Sequence, residues 1–127
     1  MSNKVKVELE FPIHASPGFL YQYLSTPDSL GEWFADNVNS RGKMFTFMWN
    51  GSEEVAERLS QKNDEFIKFK WVEDEDEDTY FEFKIQVDAL TKDVSLLVTD
   101  FAEEDEVDEL KMFWENQIND LKHTIGG

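Results

Sequence analysis

The sequence contains no cysteine among its 127 residues. This absence excludes disulfide bonds, thiolate metal ligands and a cysteine nucleophile. The two histidines, His14 and His123, lie near opposite ends of the chain, and their spacing is not that of a metal-binding pair. We therefore predict no metal, no cofactor and no catalytic triad, and we expect both histidines to have structural or surface roles.

Basic residues are scarce, since 12 lysines and arginines stand against 28 aspartates and glutamates and give a net charge of −16. A surface of this sign repels the phosphates of nucleic acids and the headgroups of anionic lipids. We therefore expect neither nucleic acid nor membrane binding. The charge is compatible with a basic protein partner, although high acidity more often serves solubility alone.

A long apolar run is also missing. No segment approaches the length needed to span a bilayer, and the N-terminus leads directly into a strand pattern without the apolar block of a signal peptide. These features favour a soluble cytoplasmic protein. At this length we expect one domain, residues 1–127, with a single hydrophobic core.

The segment from Asp100 to Thr124 has the strongest helical pattern in the chain. Acidic residues at its start and basic residues at its end suit the helix dipole, and Gly126 supplies a stop signal. Asp100 and Glu103 resemble a capping box, so we place the start of the helix at Asp100. Such a helix must bury a wide apolar face, which is formed by Val107, Leu110, Trp114, Ile118, Leu121 and Ile125.

The first third of the chain combines one strand with two short helices. Lys4 to Phe11 alternates charged and apolar residues, which predicts a strand with one wet face that ends at Pro12. Ser16-Pro17 and Thr26-Pro27 each place a capping residue before a proline at the first helical position. We expect the second helix to give way to a loop that extends to Asn39.

From Lys43 onward, alternating segments predict an antiparallel sheet. Asn50-Gly51 indicates a tight hairpin, because both residues of such a turn need positive φ. The order strand, helix, helix, five strands and long helix predicts an α+β domain, in which a curved sheet of about six strands wraps on the C-terminal helix. The predicted inward residues are Phe45, Phe47, Trp49, Val55, Leu59, Ile67, Phe69, Trp71, Phe81, Phe83, Ile85 and Val87.

Two stretches resemble the signatures of a known family. Thr26 to Phe34 (TPDSLGEWF) and Phe113 to Lys122 (FWENQINDLK) are similar to helix patterns of the START-like (SRPBCC) superfamily. Within it, the sequence most resembles the branch named after the activator of the heat-shock chaperone ATPase. The resemblance covers nearly the whole chain and implies the helix-grip fold. It further implies a domain that either holds a small apolar molecule or acts through protein contacts.

Aromatic residues are more numerous than a minimal core requires, with 11 phenylalanines and four tryptophans. They can line an apolar pocket between the sheet and the C-terminal helix, or they can simply fill the core. Phe113 stands where the branch usually has glycine, and its bulk would narrow such a pocket. As the pocket wall we single out Phe45, Phe47, Trp49, Phe69, Trp71, Phe81, Phe83 and Trp114.

Glu57 is the most informative polar residue in this pattern. Strict alternation with Val55 and Leu59 places it on the inner face of the sheet, where an ionised carboxylate is costly unless it is paired. Glu57 is then a polar anchor for the ligand. The alternative is a bulge or a strand end that leaves its side chain in water.

The run from Glu73 to Asp78 is wholly acidic and predicts a solvated hairpin tip. A calcium-binding loop is excluded, because the positions that require glycine and glutamate hold Thr79 and Ile85. The run therefore adds negative charge to the surface without predicting a metal site.

Three functions fit these observations. The first is non-enzymatic binding of a small hydrophobic ligand in the pocket under the C-terminal helix. The second is a protein-interaction module, co-chaperone-like by resemblance, that binds a basic protein partner through the acidic surface. The third is a cyclase or hydrolase, for which Glu57 is the only predicted pocket residue able to act as acid or base.

Overall fold

The fold is that of a computed structural model, which describes residues 4–126. Residues 1–3 and Gly127 lie outside the described residues. The predicted absence of a signal peptide concerns the N-terminus and therefore falls partly on these residues. No helix between residues 4 and 126 is long and apolar enough to cross a membrane. The elements are β1 (Lys4–Ile13), α1 (Pro17–Ser25), α2 (Pro27–Trp33), β2 (Asn37–Arg41), β3 (Met44–Trp49), β4 (Ser52–Lys62), β5 (Phe66–Trp71), β6 (Phe81–Val87), β7 (Val94–Glu103) and α3 (Val107–Ile125).

The seven strands form one antiparallel sheet in the order β1-β7-β6-β5-β4-β3-β2. Most of the buried residues of the three helices and of the inner face of the sheet belong to one core. This architecture confirms the predicted α+β fold, with a curved sheet that grips a long C-terminal helix and two short helices after the first strand.

β2 is an additional strand that the sequence pattern did not predict. The segment expected to be a loop pairs with β3 from Asn37 to Arg41. Among these five residues only Val38 is buried. The segment therefore lacks the regular alternation of apolar residues by which a strand is recognised in a sequence.

β1 continues past its predicted end at Pro12. Pro12 lies opposite Ser95 in the ladder with β7, and the next residue, Ile13, is buried. A proline is tolerated here because β1 is at the edge of the sheet, where one side of the strand has no neighbouring strand to bond.

The predicted hairpin forms at Asn50-Gly51, and both residues have positive φ, 48° and 84°. A two-residue loop fixes the register of the strands that it joins. Residues opposite each other in this register share one face of the sheet. The opposed pairs on the inner face are Trp49 with Ser52, Phe47 with Glu54, and Phe45 with Ala56.

The inward face of β4 is the opposite of the one predicted. Ala56 is fully buried, whereas Leu59, expected to point inward, is 46% exposed. Val55 lies on the outer face because its neighbour Ala56 lies on the inner one. A bulge between Arg58 and Ser60 interrupts the pairing with β5, so a single alternation does not describe the whole strand.

Both short helices begin as predicted. The Ser16 hydroxyl accepts a hydrogen bond from the Phe19 N–H at 3.3 Å, and the Thr26 hydroxyl accepts one from the Ser29 N–H at 3.4 Å. A proline occupies the first turn of each helix, where its missing N–H costs nothing.

α3 begins later than predicted. β7 continues to Glu103, and Asp100 lies on this strand, so the expected capping box does not form. The end of the helix agrees with the prediction, because Gly126 adopts the left-handed conformation with φ 78°. The centre of the predicted stripe is buried: Trp114, Ile118 and Leu121.

Aromatic rings fill the middle of the core. Their neighbouring centroids lie 5.0 to 6.2 Å apart, a separation at which rings are in contact. The space between the sheet and the helices is therefore packed in this region. Each of the five rings is at most 2% exposed: Phe45, Phe47, Phe69, Phe81 and Phe83.

The acidic loop between β5 and β6 is exposed at Glu73, Glu75, Glu77 and Asp78, as predicted, and specific bonds also hold it in place. Asp74 accepts hydrogen bonds from the Thr79 hydroxyl at 2.6 Å and the Asp76 N–H at 3.0 Å. It also pairs with the Lys4 ammonium at 3.2 Å, which joins the loop to β1. The Lys70 ammonium donates to the carbonyl and hydroxyl oxygens of Thr79 at 2.9 and 3.1 Å.

These bonds control the ionisation of Asp74. Burial by itself would raise its pKa, but the bonds from Thr79, Asp76 and Lys4 outweigh burial and hold the pKa at about 2. The stability that the ionised group contributes is therefore present above its ordinary pKa of 3.8 and is lost as the pH falls through about 2.

We expect Asp74→Ala to lower the free energy of unfolding at neutral pH by about 1–2 kcal/mol, because it removes an ion pair and two hydrogen bonds to a carboxylate. Urea denaturation followed by circular dichroism measures the change. Asp78→Ala removes an exposed carboxylate from the same loop and should change stability by less than about 0.5 kcal/mol. Equal losses in the two variants would show that the Asp74 bonds do not stabilise the fold.

Candidate functional site

A cavity of about 440 Å³ lies at one end of the core, between the inner face of the sheet and the first half of α3. Its size is within the range of small-molecule binding sites. Six of its eight wall residues are aromatic or aliphatic, and the other two are carboxylates. The wall consists of Phe34, Trp49, Glu54, Trp71, Asp100, Leu110, Phe113 and Trp114.

The wall residues come together because several elements end at this place. Trp49 is the last residue of β3 and Trp71 is the last residue of β5, and their ring centroids lie 6.0 Å apart. Glu54 follows the hairpin on β4, and Asp100 lies near the end of β7. α3 covers this group of strand ends with Leu110, Phe113 and Trp114.

Phe34 separates the cavity from the filled core. Its ring stacks on Trp114 at a centroid distance of 5.6 Å and an interplanar angle of 12°, and it meets Phe47 edge-on at 5.2 Å. Its carbonyl oxygen accepts hydrogen bonds from the Trp49 indole at 2.8 Å and the Gln117 amide at 2.7 Å. The end of α2, β3 and α3 are thereby joined through one residue.

The predicted pocket wall divides into two groups. Trp49, Trp71 and Trp114 line the cavity, whereas the five phenylalanines lie in the filled core: Phe45, Phe47, Phe69, Phe81 and Phe83. Alternation identifies the face of a strand but not the position along the sheet at which the helices leave space. Phe113 is 42% exposed, so it stands at the edge of the cavity.

The prediction that Glu57 faces the pocket is wrong. The hairpin register places it on the outer face of the sheet, where its carboxylate pairs with the Lys43 ammonium at 3.0 Å. Glu54, three residues earlier, lies opposite Phe47 and lines the cavity instead. The two-residue turn carried this information in the sequence, whereas the hydrophobicity of Val55 and Leu59 pointed to the wrong face.

Asp100 is the second polar residue of the cavity, and its sequence pattern suggested only a helix cap. One carboxylate oxygen accepts a hydrogen bond from the Trp114 indole N–H at 2.9 Å, and the other accepts one from the Phe101 N–H at 2.8 Å. On β7 it follows Leu96 and Val98 at alternate positions, and both of these are buried. An acid on an otherwise apolar strand face is the signal that identifies it.

The environment of Asp100 favours its neutral form. Burial raises its pKa to about 6, although the hydrogen bonds from Trp114 and Phe101 act in the opposite direction. The positive charge of Lys4 also lowers the pKa, and the negative charge of Asp74 raises it. The cavity thus contains a carboxyl group that changes charge close to neutral pH.

A larger cleft, about 620 Å³, lies at the opposite end of β7 and is bordered mainly by polar residues that include His14. The Asp88 carboxylate at this cleft accepts hydrogen bonds from the Leu90 and Thr91 N–H groups, so it stabilises the turn that follows β6. Residues 4–126 contain no group of three or more His, Asp or Glu side chains that could hold a metal ion.

Comparison with known proteins gives one family. A model described as a START-like superfamily domain matches residues 1–127. A Bacteroides fragilis protein solved by NMR is 37% identical, with 96% of this chain and 91% of that one covered and a TM-score of 0.67. A search of curated proteins finds no match.

Two more distant structures share the fold. The Aha1 dimer from Colwellia psychrerythraea is 19% identical, with 93% of both chains covered and a TM-score of 0.77. A Mesorhizobium loti protein is 16% identical, with 96% of this chain and 97% of that one covered and a TM-score of 0.78. At these identities the likeness concerns the fold alone.

Asp100 should make stability depend on pH. Because the folded chain favours the neutral acid, its contribution is present below the ordinary pKa of 3.8 and is lost as the pH rises through about 6. We expect the stability of Asp100→Asn, relative to the natural protein, to rise by about 2 kcal/mol between about pH 4 and pH 7.5.

Chemical denaturation across this pH range measures that difference. Asp108→Asn makes the same substitution at an exposed position on α3 and serves as the control, which should not show a rise of this size. A difference for Asp100→Asn that stays constant over the range would show that the pKa of Asp100 is not raised.

Proposed function

The chain belongs to the START-like superfamily, and on this premise we propose that it binds a small hydrophobic molecule, without catalysis, between the sheet and α3. One observation carries the proposal, namely a cavity of about 440 Å³ with three tryptophans in its wall. Large, rigid aromatic side chains give an apolar ligand much contact area at little entropic cost.

The filled core limits the size of the ligand. Phe34 and the phenylalanines behind it occupy the middle of the domain, so a ligand is confined to the end near Trp49 and Trp71. Phe113, at the edge of the cavity, would lie over the entering molecule. A compact or flat ligand fits this space better than a long acyl chain or a complete sterol.

We expect N-phenylnaphthylamine, a neutral aromatic dye, to bind saturably with enhanced fluorescence. Leu110→Trp adds bulk inside the cavity and should weaken binding by more than about tenfold, since the dye and the new ring compete for one space. A fluorescence titration gives both dissociation constants.

Met112→Trp is the matched control for this experiment. Met112 is 65% exposed on the same helix, so the same ring added there leaves the cavity open and binding unchanged. If the dye and a panel of fatty acids, sterols and flat aromatic compounds all fail to bind saturably, the ligand-binding function is refuted. Equal affinities in the two variants would place the dye elsewhere on the protein.

A second candidate function is supported by the surface of α3. The acidic residues at the start of this helix are exposed, and the apolar side chains of Met112 and Phe113 follow them at 65% and 42% exposure. This combination suits a basic, amphipathic segment of a protein partner, in keeping with the co-chaperone-like resemblance.

This candidate predicts binding to an amphipathic peptide of lysine and leucine. Its affinity should fall by at least about tenfold between low and high salt, because exposed charges are screened. Glu109→Lys should weaken binding, whereas Glu32→Lys, an equal charge change on α2, should not. Binding that is insensitive to salt, measured by fluorescence anisotropy, would exclude the acidic surface as the contact.

A further inference from the structure

The charged groups in the wall of the cavity all have the same sign. Glu54 and Asp100 are its two ionisable residues, and none of the eight wall residues is basic. A ligand with a carboxylate would bring a like charge close to the largely buried Asp100 and the exposed Glu54, which is unfavourable. The wall therefore disfavours fatty acids and other organic anions.

Asp100 retains capacity to bind a ligand. Each of its oxygens accepts one hydrogen bond, from Trp114 or Phe101, while a carboxylate can accept about four in total. The described residues place no basic side chain within ion-pair distance of it. Among its charged neighbours, Lys4 on β1 pairs with Asp74 of the acidic loop at 3.2 Å, and Glu54 on β4 lines the same cavity.

The aromatic wall also suits a positive charge. A cation is attracted to the face of an indole ring, most strongly where water is excluded. Trp49, Trp71 and Trp114 surround the space next to the two carboxylates. The net charge of −16 adds a field that raises the local concentration of cations over that of anions.

We propose that the ligand of this cavity is an organic cation, a protonated amine carried on a compact aromatic or aliphatic body. The amine donates to Asp100 and lies near Glu54, and the body packs against the tryptophans. This inference rests on the proposed ligand-binding function and names the class of ligand.

Three probes with the same ring system test the charge. Naphthylmethylamine is a cation at neutral pH, naphthylmethanol is neutral and naphthoate is an anion. Isothermal titration calorimetry at pH 7 should show the cation binding at least about tenfold more tightly than the alcohol, with the anion weakest. Affinity for the cation should fall as the pH decreases through about 6, where Asp100 takes up a proton.

Three variants separate the effect of the cavity from that of the overall charge of the protein. Asp100→Asn and Glu54→Gln should each abolish most of the preference for the cation. Glu57→Gln removes one negative charge from the outer face of the same strand and should preserve the preference. If Asp100→Asn does not fold, as judged by circular dichroism, the comparison of Glu54→Gln with Glu57→Gln decides.

The outcomes distinguish this inference from the function on which it rests. Equal binding of the three probes would overturn the cation preference while leaving a hydrophobic-ligand site in place. Binding of none would overturn both, and tightest binding of the anion would overturn the inference alone. A preference for the cation that persists in both cavity variants would assign it to the surface charge and overturn it as a property of the site.

Discussion

The contact between Phe34 and Trp114 joins the second short helix to the long C-terminal helix, and the rest of the core is packed around it. Phe34 ends the second short helix, Trp114 lies on α3, and their rings stack at 5.6 Å. The Phe34 carbonyl, which has no further helical turn to bond, accepts from Trp49 and Gln117. Packing and hydrogen bonding at this one residue thus connect the end of α2 to β3 and α3. On one side the Phe34 ring meets the filled core, and on the other it borders the cavity.

The Asp100 carboxyl group in the cavity wall lowers the stability of the fold at neutral pH. An acid with a pKa near 6 on an apolar strand face is less favourable at neutral pH than an apolar side chain of similar volume. The bonds from Trp114 and Phe101 offset part of that cost. Unfavourable groups of this kind concentrate at functional sites, because a partner supplied by a ligand can offset the remainder.

Much of the fold could be predicted because local signals and burial agreed. The two Ser/Thr-Pro helix starts, the Asn50-Gly51 turn and the stripe that includes Trp114 each have one dominant physical cause. β2 could not be predicted, because a short edge strand with one buried residue has no apolar alternation. The start of α3 was misplaced because acidic residues resemble a cap wherever they precede an apolar run.

The site was harder to predict than the fold. Sequence periodicity gave the inner faces of β3, β5 and β6 correctly, but not the point at which their rings stop filling the core. The error at Glu57 arose where a hydrophobic pattern and a turn register disagreed, and the covalently fixed register was the stronger constraint. Asp100 was assigned to a helix because neighbouring residues in sequence, rather than the opposite strand, determined the prediction.

The two outer strands of the sheet have a consequence for self-association. A free strand edge is a template on which a second chain can add by backbone pairing. Here one edge contains Pro12, which lacks an N–H to offer, and the other is only five residues long and mostly exposed. Together with repulsion between copies that each carry a net charge of −16, these edges oppose continuous sheet growth.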